Sequence, residues 1–337
     1  MWRLLNRTPY AAERTWMRSH DGQHLWIVAV KATYELGESG KLKIADKQLP
    51  PLLAPEYRGD PGSSSLLYDV DLTDTKPGTD IILNASAYAR GGKPTRELLA
   101  GFRLGPVKKL LNVRGERIWE SGLLRGIHPS EPRPFSCIKI TYEQAFGGMD
   151  SSNPAPLKHR MENQNPVGRG FAITKEHLVG KPVPNVTYPD DDAISRPAGF
   201  GALASYWSPR RELWGTFDEA WMKKRRPLLP VDYNSQALMC SPIDQRPTGY
   251  LRGGERVRLL HLTPAGQLEF DLPKVELRFQ TRFGHRRVEH ASQLSMVVIE
   301  PDAARLLMTW HTALPCHHDA EALDETTITE TRGRHRT

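Results

Sequence analysis

Apolar and polar positions alternate at both ends of the chain and lose any period in the middle. In "HLWIVAVKATYEL", Trp26, Val28, Val30, Ala32, Tyr34 and Leu36 share one face, and Lys31, Thr33 and Glu35 share the other. Period two with β-branched and aromatic residues predicts a half-buried strand. "TDIILNASAYAR" repeats the type, with Ile81, Leu83, Ala85 and Ala87 together, and "KKLLNVRGERIW" and "FSCIKITYE" add two more. From Glu255 onward, "ERVRLLHL", "LEFDLP", "KVELRFQTRFG", "SMVVIEP" and "RLLMTWHTAL" follow at short spacing, separated by turns such as "TPAGQ" and "PDAA". This spacing predicts a mainly β protein, with antiparallel sandwich-like or barrel-like sheets and one or two short helices. The expected layout is one compact body over residues 1–316. Lobes at 1–145 and 251–316, joined by a loop-rich 146–250, are the alternative division.

The middle carries one signposted helix, "GTFDEAWMKKRRP". Thr216 and Glu219 stand in capping-box spacing, acids precede bases as the helix dipole favours, and Pro227 ends it after about ten residues. Its basic end is either a helix terminus satisfied by cations or a patch for an anionic partner. The rest of the middle is written in clusters such as "YEQAFGG" and "NPVGRGFA". Glycines there permit close backbone approach, Asn-Pro pairs fix turns, and aromatics pin loops. Such a loop is ordered by packing, and a rigid irregular surface suits protein recognition.

The chain has 337 residues and a formal charge of +7, with three widely spaced cysteines. Cys137, Cys240 and Cys316 form neither a CxxC pair nor a disulfide framework, which fits reduced thiols in the cytoplasm. No signal-peptide core or membrane-spanning run is present. Basic residues are spread along the chain, which disfavours a nucleic-acid footprint. From His317 the chain is polar, mixed in charge and without aromatics, so a disordered tail over 317–337 is expected.

Catalytic motifs do not emerge. "AGFGALA" fits GxGxxA without the preceding strand that a dinucleotide site needs, and "GDPGSSS" lacks the GK[ST] ending of a phosphate loop. "CHHD" at 316–319 and "YPDDD" at 188–192 read as polar chain rather than as zinc or calcium sites. His285 and His290 lie among arginines, which should lower their pKa. No catalytic residue, cofactor or metal is expected.

Several clusters together resemble a bacterial family of unknown function encoded beside type VI secretion effector and spike genes. They are "NRTPYAAER", "YRGDPGSSSLLYDVDL", "KPGTDIILNASAYA", "YEQAFGG", "NPVGRGFA", "PAGFG", "GTFDEAW", "YLRGGE" and "MTWHTALP", spanning Leu4 to Pro315. The resemblance implies a non-enzymatic adaptor or chaperone that binds a cognate effector protein, stabilises it and helps load it onto the secretion spike protein. It supplies no catalytic residues. Candidate protein-binding residues are Phe146, Arg169, Phe171 and Trp221, with the basic run Lys223, Lys224, Arg225 and Arg226. The competing class is a hydrolase or sugar-acting enzyme on a β scaffold with a dispersed active site.

Overall fold

A computed structural model describes residues 2–316 and 320–331. The protein is mainly β, as its alternation predicts, with several sheets and, among the described residues, no closed barrel. Its largest sheet runs Ala11–Arg18, His24–Leu36, Arg305–Pro315, Gln293–Glu300, Asp80–Leu83, with the short Leu42–Ile44 pairing beside His24–Leu36. A five-stranded sheet runs Val186–Thr187, Val107–Arg114, Glu97–Leu104, Arg256–Leu260, Gln267–Asp271. A four-stranded sheet runs Arg3–Asn6, Leu323–Glu330, Leu277–Phe283, Arg286–Ala291.

Two pairings within these three sheets depart from a simple antiparallel plan. Gln293–Glu300 pairs with Asp80–Leu83 in parallel, and Arg3–Asn6 pairs with Leu323–Glu330 in parallel. In each pair the partners lie far apart in sequence, so no tight hairpin constrains their direction. The β-rich ends also do not form separate lobes. Strands from before residue 115 and after residue 255 share all three sheets.

One apolar core joins these sheets. It contains Trp26, Val28, Val30, Ala32, Tyr34 and Leu36, the face legible in the sequence, packed with Phe102, Leu104, Leu111, Val257, Leu259 and Phe279. The strand is not half-buried, however. Leu25, Ile27 and Ala29 pack with Leu72 on its second face, where Lys31 and Thr33 are buried as well. The irregular parts of the chain cover that face. The unbroken apolar run from Leu25 to Val30 is its local sign, whereas nothing local reports the burial of Lys31 and Thr33.

Two local expectations are also corrected. The helix is only Glu219–Lys224, and its N-cap is Asp218, whose side chain accepts from the Trp221 N–H. Thr216 instead donates its hydroxyl to Asp232 at 2.7 Å. The expected disordered tail contains the strand Leu323–Glu330, with Leu323 and Ile328 in the core. Few apolar residues suffice there, because neighbours on both sides satisfy its backbone. Residues 317–319 and 332–337 of that expected tail lie outside the described residues. Among the described residues, no helix is long and apolar enough to cross a membrane.

Candidate functional site

The second face of the six-stranded sheet carries charge. Lys31 donates to Asp71 at 2.8 Å, Lys76 to Asp80 at 2.8 Å, and Arg210 to Asp69 at 2.6 Å, with all six side chains buried. The three acids come from one stretch, "DVDLTDTKPGTD". Buried ion pairs persist only when further hydrogen bonds complete them. Here Asp71 also accepts from the Thr309 hydroxyl at 3.0 Å, and Asp80 from the Ser241 N–H and hydroxyl at 2.8 and 2.6 Å. Arg210 donates onward to the Leu203 and Ala237 carbonyls, each at 2.7 Å. These bonds fasten the irregular middle of the chain to the sheet.

The middle segment is tied to itself in the same manner. The buried Asn165 donates through Nδ2 to the Tyr142 and Phe146 carbonyls, both at 2.8 Å. Phe146–Gly147 then pairs in parallel with Arg169–Gly170. Gly148 adopts φ +94°, and a Cβ there would run into the Gly168 carbonyl. Gly199, within the GxGxxA lookalike, lies against the Tyr142 ring, which a Cβ would approach to 2.9 Å. Its glycine serves close packing, with no nucleotide-binding strand before it.

An open groove of about 830 Å3 adjoins Tyr142. Tyr188, Arg196, Asp244 and Arg246 line it, with Leu203 and Leu213 as apolar neighbours. Asp244 accepts from Lys109 at 2.8 Å and from the Tyr188 hydroxyl at 3.1 Å. Burial lowers the Lys109 ammonium to about 8, against the opposing pull of Asp244. Arg196 stacks 4.8 Å from the Tyr188 ring centre and pairs with Asp190 at 2.6 Å. Arg246 is held by carbonyl oxygens, those of Ser241 at 2.7 Å and Met239 at 3.2 Å, and by Gln236 Oε1 at 3.2 Å. No carboxylate pairs with it among the described residues.

A family model described as an uncharacterized protein conserved in bacteria (DUF2169) matches residues 21–311. The chain belongs to this family. The DUF2169 match covers the irregular middle and most of the strands on either side of it, so it includes the groove and the buried charges beneath it. Neither a curated protein nor a solved structure matches the chain.

The interface candidates from sequence sit in two places on this DUF2169 chain, and neither lines the groove. Phe146 and Phe171 are half-buried with ring centres 6.4 Å apart, and Arg169 between them donates to the Glu143 carbonyl at 2.9 Å. The short helix holds the rest. Trp221 donates to the Leu228 carbonyl at 2.8 Å, and Arg225 to the Leu229 and His20 carbonyls at 2.9 and 2.7 Å. Lys223 pairs with Glu219 at 3.1 Å, whereas Lys224 and Arg226 are exposed without an ion pair among the described residues. Much of the chosen set therefore braces its own loops.

The groove residues escaped the sequence reading. Tyr188 and Asp190 belong to "YPDDD", which reads as a solvated run. In the fold, Asp191 accepts from the Ser195 and Arg196 N–H groups and shapes the turn that presents Arg196. No spacing signal could have joined Arg196 to Asp244 and Arg246, which meet only through tertiary structure. Among the described residues, no group of three or more His, Cys, Asp or Glu is placed to hold a metal.

Proposed function

We propose that this protein is a non-catalytic adaptor that binds a cognate effector in the cytoplasm of the producing cell. It stabilises that effector and helps load it onto a type VI secretion spike. The observation carrying this reading is the open groove of about 830 Å3, walled by irregular chain that is locked to the sheet. A recognition surface gains affinity when its shape is fixed before binding, because less ordering entropy is lost. The Asn165 bonds and the Arg210–Asp69 pair supply that fixity. The resemblance of the sequence clusters to a secretion-associated family supports the choice of partner.

A binding partner of this kind raises the effector's apparent stability by mass action, by about 2.7 kcal/mol at a hundredfold excess over Kd. Deleting the gene should therefore lower the effector's abundance while spike proteins persist. Affinity capture of the tagged full chain from native cells, followed by mass spectrometry, should return one dominant effector. Unchanged effector abundance and secretion in the deletion strain, with no complex captured, would overturn the reading.

One observation favours an enzyme as the second reading. Lys109, lowered to about 8 beside Asp244 and the groove, has the perturbed titration common at catalytic sites. Turnover of a hydrolase or glycosidase substrate by the purified chain, lost in Lys109→Met, would establish it.

A further inference from the structure

The groove has a chemical asymmetry that specifies its occupant. Its cationic lining consists of Arg196, Arg210 and Arg246, against the single carboxylate Asp244. Arg210 is spent on Asp69 and on two carbonyls within the fold. Asp244 is spent on Lys109 and Tyr188. Arg246 is different. Its guanidinium is partly buried, and its partners are neutral oxygens. Asp80, the nearby buried acid, is committed to Lys76, Cys240 and Ser241. A desolvated guanidinium solvated only by carbonyls gains most from an incoming carboxylate, which restores a charge-assisted bond.

A second cation stands on the same groove. Arg196 is exposed, with its guanidinium carbon over the Tyr188 ring at 4.8 Å from the ring centre. Its closer partner Asp190 is exposed too, and exposed pairs are exchanged at little cost, while the buried Asp191 lies farther off at 3.9 Å and is occupied by the Ser195 and Arg196 N–H groups. Between and beside these cations the lining is apolar. Leu203, Leu213 and Pro242 line it, and Ile243 is 82% exposed at its edge. An exposed isoleucine next to a cationic cleft favours a ligand that joins an acid to an apolar side chain.

We propose that the groove binds an extended acidic–apolar peptide segment of the partner protein, with Arg246 and Arg196 receiving its carboxylates and Ile243 packing on its apolar side chain. This inference rests on the adaptor reading for the identity of the partner, and not for the chemistry of the groove. Binding of such a segment should weaken as salt rises, since Arg196 is screened.

The test uses the full chain and an array of short peptides that differ only in one central residue. Peptides with Asp or Glu beside Leu or Phe should bind about tenfold or more tightly than their Asn and Gln counterparts. Arg246→Gln should erase that preference. Because Arg246 also braces the loop through the Ser241 carbonyl, Ile243→Glu is the second variant. It alters an exposed side chain, should leave the melting temperature unchanged, and should abolish acidic-peptide binding by repulsion. Equal binding of acidic and amide peptides, or a preference retained in Ile243→Glu, overturns the proposal. Capture of the effector from cells is measured in parallel with wild type and both variants. An effector captured equally by all three, without acidic preference on the array, overturns the groove assignment and leaves the adaptor reading standing. An acidic preference lost in both variants, with no effector captured, supports the assignment and overturns the adaptor reading.

Discussion

The Lys76 ammonium donates to the Asp80 carboxylate across 2.8 Å, and neither side chain reaches solvent. Asp80 opens a strand of the largest sheet, and it also accepts from the Cys240 and Ser241 N–H groups. One carboxylate therefore fixes both the sheet edge and the irregular layer that bears the groove.

Removing either charge should be severe. Burial alone would raise the Asp80 carboxyl, yet Lys76 and Ser241 outweigh it and hold the group below the usual aspartate range. Asp80→Asn leaves an ammonium buried without its counter-charge, at an expected cost of about 3–5 kcal/mol. The double variant Lys76→Met with Asp80→Asn should recover part of that loss. Denaturant unfolding of the single and the double variant measures both. A single variant within 1 kcal/mol of wild type, roughly the level of a surface substitution, would show that the pair is not what anchors the layer.

Why the sheets were legible and the site was not follows from where the information lies. Val30 through Leu36 alternate, and alternation is a local property that survives in the sequence. The burial of Lys31 is set by Asp71, 40 residues away, and no local pattern reports it. Ile328 shows the converse. Its strand sits in a polar segment that reads as disordered, yet Arg3–Asn6 and Leu277–Phe283 flank it on both sides. For His290 the expected direction holds and the cause differs. Burial lowers it to about 4, with the Thr281 and Thr312 hydroxyls on its two ring nitrogens, rather than the neighbouring arginines. The glycine clusters announced an ordered loop, but Arg196, Asp244 and Arg246 are assembled by tertiary folding alone.

Asn165 should be the most sensitive residue of the irregular layer. Asn165→Ala leaves the Tyr142 and Phe146 carbonyls without their shared donor. Two acceptors at about 1–3 kcal/mol each predict a loss on the order of 2–6 kcal/mol. Asn165→Asp should be no better, since a carboxylate cannot donate. Thermal unfolding compared with an exposed control such as Lys224→Ala reads the difference.

Stability should fall below neutrality because two histidines are held uncharged. Burial lowers both His290 and His311 to about 4 from an ordinary 6.5, and for His311 the Lys76 charge adds to it. The unfolded chain therefore binds protons first as pH falls. The stabilising contribution is complete above about 6.5 and is lost progressively until pH passes the folded values near 4. Linkage puts the loss at about 3 kcal/mol per histidine at most. Guanidinium midpoints measured from pH 7.5 to 4.5 should decline, and His290→Gln should flatten the curve. A midpoint independent of pH over this window would contradict the burial of both imidazoles.

The C-terminal strand should be required for folding, against its appearance as a dispensable tail. Leu323–Glu330 pairs in parallel with Arg3–Asn6 and antiparallel with Leu277–Phe283, so its removal opens the four-stranded sheet along its middle. Leu323 and Ile328 are completely buried, and losing both forfeits roughly 3–6 kcal/mol of apolar burial. Thr326 adds a polar role. Its hydroxyl accepts from the Trp26 indole N–H at 2.8 Å and bonds the Thr281 hydroxyl at 2.7 Å. Truncation after Cys316 would leave that indole N–H buried beside an open sheet edge, a combination that favours aggregation. The truncated chain should be recovered mainly as insoluble protein. Thr326→Val isolates the polar part, because it keeps the shape and orphans the Trp26 donor, with an expected cost of about 1–3 kcal/mol in denaturant unfolding. A soluble truncated chain with wild-type stability would show that this strand is an accessory to the sheet rather than a structural member of it.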